Sequence, residues 1–449
     1  MSTNGKYYSK IKPKNNPPQK VLIFGLGLNA GGVGSVKFFS RQGTKVVVTD
    51  LKNKKALSSS LAKLSSFPNI KYVLGKHRLV DFLTSDLIIK NPAIPWEHPF
   101  LKKARERGIK ISTDTIIFFN QTPALIVGIT GTKGKSTTAA LLTEILKKKY
   151  PRVWLLGNIR ESFLDKLPKI KSQDIVVAEL SSFQLEDLAL IKKSPSVAVI
   201  TNIFADHLNR YKSLKDYGRT KANIFLYQKP TDHLIINGKD KFLVKLARKA
   251  KAQKHFFRKS NLSRLEINIG LAALAAKILG VPRKTIAKTV KNFRGLPGRL
   301  EFVGKFSAKG GSASGGKNRI FINDTTATNP TAVLTGLQFL IKKYKRPIVL
   351  IAGGQDKKLN YQTMTETINK KIKKLILLPG DATKKLKKSL KIKFKEVKNM
   401  KTAVATAYRV SEPGDLIVLS PGAASFNLFQ NEFDRGRQFN QNIKKLLKT

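Results

Sequence analysis

The feature that most constrains this chain is a glycine-rich loop between an apolar run and a helix-forming segment. The apolar run covers residues 124–127, the loop ends in Gly134-Lys135-Ser136, and a helix is predicted at 139–148. Glycines let backbone N–H groups curl around phosphate oxygens, Lys135 reaches the terminal phosphates, and Ser136 offers a hydroxyl to Mg²⁺. We therefore predict a nucleoside triphosphate site, because an ordinary glycine turn does not account for lysine and serine at these offsets.

The alternation of apolar runs and amphipathic segments predicts an α/β protein with parallel sheets. The chain has 449 residues, enough for about three domains. We place them at 1–121, 122–297 and 298–449, with 1–19 as a flexible tail and a Gly/Ser/Lys-rich flexible surface loop between two strands at 308–318. Strands are expected at 21–24, 46–49, 87–89, 175–178, 197–201, 320–323, 348–352, 375–378 and 416–419, and a helix at 330–342.

The first block begins like a Rossmann fold. A buried strand at 21–24 leads into Gly-Leu-Gly at 25–27, the glycines at 31–34 open a helix, and the next strand ends at Asp50. The loop is longer than G-x-G-x-x-G, so it is weak evidence for a dinucleotide site. Asn-Pro-Ala at 91–93 ends a further strand, at the kind of sheet edge where ligands bind in open α/β folds.

Candidate metal ligands follow the strands of the second block. Glu179 ends a predicted strand beside the phosphate loop, where a carboxylate can hold Mg²⁺; the alternative is a glutamate favoured at a helix start. Asp206 and His207 follow the next strand at the same edge, which favours a ligand or substrate contact over a structural histidine. Lys221 lies on a predicted helix, and in a chain this rich in lysine its spacing alone does not single it out.

The third block has further candidates at its strand ends. Arg299 follows a Gly-Pro segment and is placed to swing onto a transferring phosphoryl group when domains close. Asp324 follows a strand and either binds ribose hydroxyls or only caps the next helix. Residues 352–357 form another glycine turn, and 420–426 precede the last helix, whose N-terminus is suited to hold a carboxylate.

The composition is unusual in its net charge of +57, although charged residues total an ordinary 25%. This charge indicates either nucleic-acid binding or a lysine-rich surface. Lysines spread along most of the chain favour the second, and the charge should attract anionic substrates. With no cysteine, no apolar run near the roughly 18 residues of a membrane helix and no signal-peptide core, we expect a cytoplasmic protein without membrane insertion.

The form of the phosphate loop resembles that of the Mur ligase family, ATP-dependent amide-forming ligases of peptidoglycan synthesis. Ile129 stands where the general pattern G-x-x-x-x-G-K-[ST] expects glycine, and Gly131 supplies the turn. From residue 20 onward, the order of motifs is similar to that of the D-glutamate-adding members. These motifs are Gly157-Asn158-Ile159, the Glu179 segment, Asp206-His207, Lys221, Gly298-Arg299, Asn323-Asp324, Ala327-Thr328-Asn329, Gly353-Gly354, Lys357, Ser420-Pro421 and Ser425.

The resemblance implies a Rossmann-like N-terminal domain, a central P-loop ATPase-like domain and a Rossmann-like C-terminal domain. It also implies roles for individual residues. The UDP-sugar would contact Gly27, Leu28, Asn29, Asp50, Asn91, Pro92, Ala93, Asn158 and His207. ATP would contact Gly131, Thr132, Lys133, Gly134, Lys135, Ser136, Thr137, Asn268, Arg299 and Asp324. Two Mg²⁺ ions would be set by Ser136, Glu179, His207 and Lys221, D-glutamate would contact Thr328, Lys357 and Ser425, and the catalytic set would be Lys135, Lys221, His207 and Arg299.

The implied chemistry is the joining of D-glutamate to UDP-N-acetylmuramoyl-L-alanine. The substrate carboxylate would attack the γ-phosphate of ATP, and the D-glutamate amine would then attack the acyl phosphate, with charge held by Lys135, Arg299 and Mg²⁺. Lys221 would carry a carbamate, which requires a lysine that can lose its proton. Domain closure would bring the three substrates together in a monomer with no specific nucleic-acid partner.

Some positions depart from the family pattern. Leu265-Glu266 stand where His-Asn is common, so Asn268 is the expected substitute for the adenine contact, and Thr326 stands where lysine is common. The rivals are a sister Mur ligase with another amino acid, folylpolyglutamate synthase, and a basic P-loop nucleic-acid-binding ATPase. The last would explain the charge but not Lys221 or the motifs of the third block.

Overall fold

The computed structural model describes residues 18–28, 30–158, 161–204, 210–293, 295–306, 318–357, 359–425 and 428–446. Within these ranges, strands and helices alternate along the chain and the strands form three sheets. Asn29, Asp206, His207, most of the predicted N-terminal tail and nearly all of the predicted 308–318 loop lie outside the described residues.

The first sheet has the strand order β3-β2-β1-β4-β5, with parallel pairing throughout. The chain order reverses direction between β1 and β4, and ligand crevices form at such switch points. The three predicted strands of this block are confirmed. The elements are β1 (Lys20–Phe24), α1 (Ala30–Ser40), β2 (Lys45–Asp50), α2 (Ser58–Leu61), β3 (Ile70–Leu74), α3 (Leu79–Leu83), β4 (Leu87–Lys90), α4 (Pro99–Glu106), β5 (Lys110–Ser112) and α5 (Asp114–Gln121).

The second sheet is also parallel, in the order β11-β10-β9-β6-β8-β7, so the strand before the phosphate loop is central. The helix predicted at 139–148 begins earlier, at Lys135, because Gly134 takes the cap position in a left-handed conformation. The elements are β6 (Leu125–Thr130), α6 (Lys135–Leu146), β7 (Val153–Gly157), α7 (Phe163–Lys166), β8 (Ile175–Glu179), α8 (Ser182–Leu190), β9 (Val197–Ile200), α9 (Leu214–Ala222), β10 (His233–Asn237), α10 (Lys241–Ala247), β11 (Gln253–Phe257), α11 (Arg264–Ile278) and α12 (Arg283–Asn292).

The third sheet has the order β12-β13-β17-β14-β15-β16, and its edge strand β12 runs antiparallel to β13. The predicted strands and the helix near 330–342 are confirmed, and β12 is the strand expected before the 308–318 loop, but its antiparallel direction was not predicted. The elements are β12 (Glu301–Phe306), β13 (Arg319–Asn323), α13 (Pro330–Tyr344), β14 (Ile348–Gly353), α14 (Gln362–Lys371), β15 (Lys374–Leu378), α15 (Asp381–Lys387), β16 (Phe394–Glu396), α16 (Met400–Val410), β17 (Leu416–Leu419) and α17 (Glu432–Leu446).

Hydrophobic packing divides the chain into two compact units, which meet in sequence at Lys291 and Asn292. The first unit holds two sheets whose facing helices share one core; Phe118 of α5 stacks on Phe163 of α7 with ring centroids 4.6 Å apart. The second unit has its own cores on both faces of the third sheet. The predicted boundary at 121/122 therefore crosses a continuous hydrophobic core. The limits of the three predicted domains remain predictions.

No helix within the described ranges combines the length and the apolar character needed to cross a bilayer.

Candidate functional site

The phosphate loop owes its shape to two glycines with positive φ. Gly131 has φ 147° and Gly134 has φ 88°. A Cβ at Gly131 would overlap the Thr201 side chain, and a Cβ at Gly134 would overlap the side chain of Asn268 on α11. Larger residues would therefore meet both backbone strain and steric overlap at these two positions.

The segment after β9 holds the loop in place. Asn202 accepts a hydrogen bond from the Lys133 N–H at 2.9 Å and donates its amide to the Lys133 carbonyl at 2.8 Å. The Thr201 hydroxyl also donates to that carbonyl at 2.7 Å. Lys135 folds back on the loop, and its Nζ donates to the Gly131 carbonyl at 2.9 Å. The predicted strand–loop–helix site is thus preformed.

Glu179 is the last residue of β8 and is only 2% exposed. The alternative that it starts a helix is wrong, because α8 begins at Ser182 and is capped by the Ser181 hydroxyl. Its Oε1 accepts a hydrogen bond from Asn158 Nδ2 at 3.1 Å, while Oε2 is buried and has no hydrogen-bond partner within the described residues. A buried carboxylate oxygen without a partner is costly, so this oxygen suits a bound cation.

Lys221 is a buried residue of α9, with 1% of its surface exposed. Its Nζ lies 3.3 Å from the hydroxyl of Thr130, the last residue of β6, and 4.7 Å from the centre of the Tyr217 ring. Lys221 is therefore not one of the many solvent-exposed lysines of this chain. Burial next to the phosphate loop was not predictable from its spacing, and the family resemblance was the signal that found it.

Three of the residues predicted to contact the UDP-sugar meet at the carboxyl edge of the first sheet. Asp50 Oδ2 accepts a hydrogen bond from the Gly27 N–H at 2.9 Å, and Asn91 Nδ2 donates to the Gly25 carbonyl at 3.3 Å. Leu28 beside them is 56% exposed. The edge thus presents a fixed loop with an open apolar side chain.

A cleft of about 310 Å³ lies inside the first unit, between its two sheets. One wall is the turn of Asn91, Pro92 and Ala93, and the other walls include Thr132, Lys135, Asn158 and Lys221. Residues predicted to bind sugar nucleotide, ATP and metal therefore line one space. Within the described residues no cluster of three or more His, Cys, Asp or Glu side chains is arranged to hold a metal.

Asp324, a predicted ATP contact in the second unit, has both carboxylate oxygens hydrogen-bonded to other residues of this chain. Its Oδ1 accepts the Leu300 N–H at 3.2 Å and its Oδ2 accepts the Ser420 hydroxyl at 2.8 Å. Burial raises the pKa of Asp324 to about 7. The idea that it only caps a helix is wrong, because Asn329 caps α13. Arg299, which precedes Leu300, offsets part of that shift through its charge.

The residues predicted to bind D-glutamate come from loops at the same sheet edge. Lys357 Nζ donates to the Thr328 hydroxyl at 3.2 Å. Gln355 exchanges backbone hydrogen bonds of 3.0 Å with Ala424, next to Ser425, which is 2% exposed. The last helix begins at Glu432, so residues 420–426 precede it, as predicted.

Two further polar residues that order the second-unit loops were missed. Arg435 is fully buried, and its guanidinium donates to the Thr325 carbonyl at 2.8 Å and to the Ala423 carbonyl at 3.1 Å. Glu301 accepts the Gly298 N–H at 2.7 Å and the Asn440 amide at 3.1 Å. The contacts of Arg435 with Thr325 and of Glu301 with Asn440 join distant parts of the sequence, so no local pattern predicts them.

Models of three Mur ligase domains match consecutive parts of the chain. The Mur ligase MurD-like N-terminal domain matches residues 19–113, the Mur ligase middle domain matches 129–306, and the Mur ligase glutamate ligase domain matches 298–422. The chain is 36% identical to a UDP-N-acetylmuramoylalanine–D-glutamate ligase of Borreliella afzelii, over 95% of this chain and 97% of that protein. It is 33% identical to the protein of the same name from Roseiflexus sp., over 95% and 98%.

Solved structures show the same fold. The UDP-N-acetylmuramate-alanine ligase of Thermotoga maritima aligns with a TM-score of 0.60 and 19% identity, over 96% of this chain and all of that one (100%). The MurF ligase of the same organism, in complex with ADP, aligns with a TM-score of 0.58 and 16% identity, over 100% and 99%. The predicted three-domain α/β architecture is confirmed.

Proposed function

Since the chain belongs to the Mur ligase family, we propose that it joins D-glutamate to UDP-N-acetylmuramoyl-L-alanine at the expense of ATP. The observation that carries this proposal is the cleft that the 91–93 turn shares with Lys135, Asn158 and Lys221. A sugar nucleotide on the first sheet and a triphosphate on the loop would meet in this cleft. The curated relatives named above support D-glutamate as the amino acid.

The reaction has two steps. The alanyl carboxylate of the sugar nucleotide attacks the γ-phosphate of ATP, and ADP leaves as the acyl phosphate forms. The amine of D-glutamate then attacks the acyl carbon, and phosphate leaves as the amide forms. Lys135 neutralises the phosphates from its place on the loop, and Arg299 does so after domain closure. Thr328, Lys357 and Ser425 orient D-glutamate.

The residues of the first unit fit Mg²⁺, because Glu179 offers a buried oxygen without a partner in the described residues and Ser136 lies in the first turn of α6. Glu179, Ser136, His207 and a carbamate on Lys221 would hold the ions. Bound Mg²⁺ would supply neutralisation of phosphate charge. Asn158 would keep the Glu179 carboxylate oriented through their hydrogen bond.

Phosphate release tests this function. The assay contains ATP, Mg²⁺ and UDP-N-acetylmuramoyl-L-alanine, with D-glutamate, L-alanine, L-lysine or meso-diaminopimelate added separately. Lys221→Ala is run beside Lys215→Ala, which removes an exposed lysine from the same helix. We expect release that requires D-glutamate, persists in Lys215→Ala and is lost in Lys221→Ala. Release driven by another amino acid, or by nucleic acid alone, would refute the proposal.

The carbamate on Lys221 has a separate test. Protein incubated with ¹³C-bicarbonate should show a carbamate carbon by NMR, and Lys221→Ala should lack that signal. Wild-type protein that is active but shows no such signal would refute the modification and leave the ligase function standing.

A further inference from the structure

We propose that Lys90 is a positioning residue that fixes two walls of the cleft relative to each other, the 91–93 turn and the start of α8. The proposal rests on the proposed function, because its readout is the binding of the sugar nucleotide. Lys90 is the last residue of β4 and is 1% exposed. Nothing in the reaction described above uses its charge.

The ammonium of Lys90 organises the turn that follows it. Nζ donates to the carbonyls of Ile94 at 2.9 Å and Asn91 at 3.2 Å, and more weakly to that of Pro92 at 3.5 Å. The turn is thus folded around a buried cation that satisfies its carbonyls. An ammonium has three donors, and a neutral apolar side chain would leave these carbonyls without that donor.

The same ammonium also contacts a helix that packs on the second sheet. Its Nζ lies 3.8 Å from Oδ1 of Asp187, a fully buried residue of α8, and 4.6 Å from the Trp96 ring centre. Trp96 Nε1 also donates to that Oδ1 at 3.1 Å. Ser182, Phe183 and Gln184 at the start of α8 line the cleft. One cation therefore touches a strand end of the first sheet and a helix of the second.

Charge balance explains why the pair is retained in the fold. Asp187 Oδ2 is buried and has no hydrogen-bond partner within the described residues. Burial raises the pKa of Asp187 and lowers the pKa of Lys90, and each partner's charge opposes the other's shift. Removal of Lys90 alone would leave a buried carboxylate without its cation, which destabilises a fold more than removal of both partners.

The test uses Lys90→Met, the double variant Lys90→Met/Asp187→Asn, and Lys102→Met as an exposed control on α4. The double variant removes both charges at nearly constant shape, so it should recover the unfolding temperature lost in Lys90→Met. We expect both Lys90 variants to raise KM for the sugar nucleotide at least tenfold, and KM for ATP to stay within twofold. Lys102→Met should match the wild type in both.

A double variant with wild-type KM for the sugar nucleotide would overturn the inference, because the lysine would then serve stability alone. Equal rises in the KM of both substrates would overturn it too. Sugar-nucleotide binding is also measured directly by calorimetry, without amino acid. Wild-type protein that binds the sugar nucleotide but uses another amino acid would refute the proposed function only, whereas protein that does not bind it would refute both.

Discussion

Two buried carboxylates stand at the ends of strands but have different hydrogen-bond partners. Glu179 is the last residue of β8 in the first unit, and Asp324 directly follows β13 in the second. Glu179 keeps one oxygen without a partner within the described residues, on the strand next to the one that leads into the predicted phosphate loop. Asp324 gives both oxygens to its own chain, to the Leu300 N–H and the Ser420 hydroxyl. The first carboxylate is the one that we propose holds a cation, and the second orders the loops that surround it.

The contrast extends to the backbone around each carboxylate. In the first unit the conformation of the loop depends on glycines with positive φ. In the second, Leu300 takes a φ of 47°, which costs a non-glycine residue energy, and its N–H is held by Asp324. In the second unit, the Asp324 side chain therefore stabilises the unfavourable backbone conformation of Leu300, next to Arg299.

The largest expected effect is that of Glu179→Gln on catalysis. The variant keeps an oxygen for Asn158 but removes the charge, so the ligase rate should fall by about two to three orders of magnitude. The unfolding temperature should hold, because no fold contact of the carboxylate is lost. Steady-state rates and calorimetry measure both, with exposed Glu144→Gln as control. A stable, fully active variant would break the comparison.

Arg435→Met tests whether buried polar groups of the second unit serve the fold. The change deprives the carbonyls of Thr325 and Ala423 of a charged donor, so the free energy of unfolding should drop by about 3 kcal/mol. Arg437→Met, on the exposed side of the same helix, should change it by less than about 1 kcal/mol. Denaturant unfolding followed by circular dichroism checks this, and equal losses would contradict it.

Gly134→Ala tests the phosphate loop against a matched glycine. Gly43 has a similar φ of 76°, but nothing stands near its missing Cβ, whereas Gly134 faces Asn268. Gly43→Ala should cost about 1 kcal/mol of stability, and Gly134→Ala about 2 kcal/mol together with weaker ATP binding. Unfolding and nucleotide titration measure the difference. Identical behaviour of the two variants would show that crowding by Asn268 has no consequence.

The stability of Asp324→Asn relative to the wild type is expected to depend on pH. The pKa of Asp324 is raised to about 7 from an ordinary value of 3.8, so the native state retains a proton that the unfolded chain has lost between these values. Its contribution to stability is present below pH 4 and is lost as pH rises towards 7.

The stability of Asp324→Asn relative to wild type should therefore increase by at least about 1 kcal/mol from pH 5 to pH 7. Calorimetry of both proteins across that range measures it. A difference that is constant with pH would mean that Asp324 is ionised throughout.

Local patterns predicted most of the strands and the phosphate loop, because buried parallel strands are short apolar runs and the loop is a contiguous motif. They did not predict β3, β5, β7, β10, β11 or β16, nor the antiparallel direction of β12. The run at β7 is followed by a glycine turn rather than by a long helix, and β12 contains Glu301, Gly304 and Lys305. Pairing partners, not composition, make these segments strands.

Site residues were predictable only where they form a contiguous sequence motif or where they match the pattern of the family. Lys221 is one lysine among many until the fold buries it beside Thr130. The pairs of Lys90 with Asp187 and of Arg435 with Thr325 join distant segments, and nothing in the sequence around these residues marks them. Long-range burial of charge is the information that a single sequence does not display.

The hydrogen bond from Trp96 to Asp187 has a spectroscopic consequence. The chain has two tryptophans, Trp96 and Trp154, and both lie in the first unit, each donating its indole N–H to a buried aspartate. Intrinsic tryptophan emission therefore reports on that unit alone, while tyrosine and far-ultraviolet signals sample the whole chain. The order in which the two halves melt can be read from the natural protein without a label.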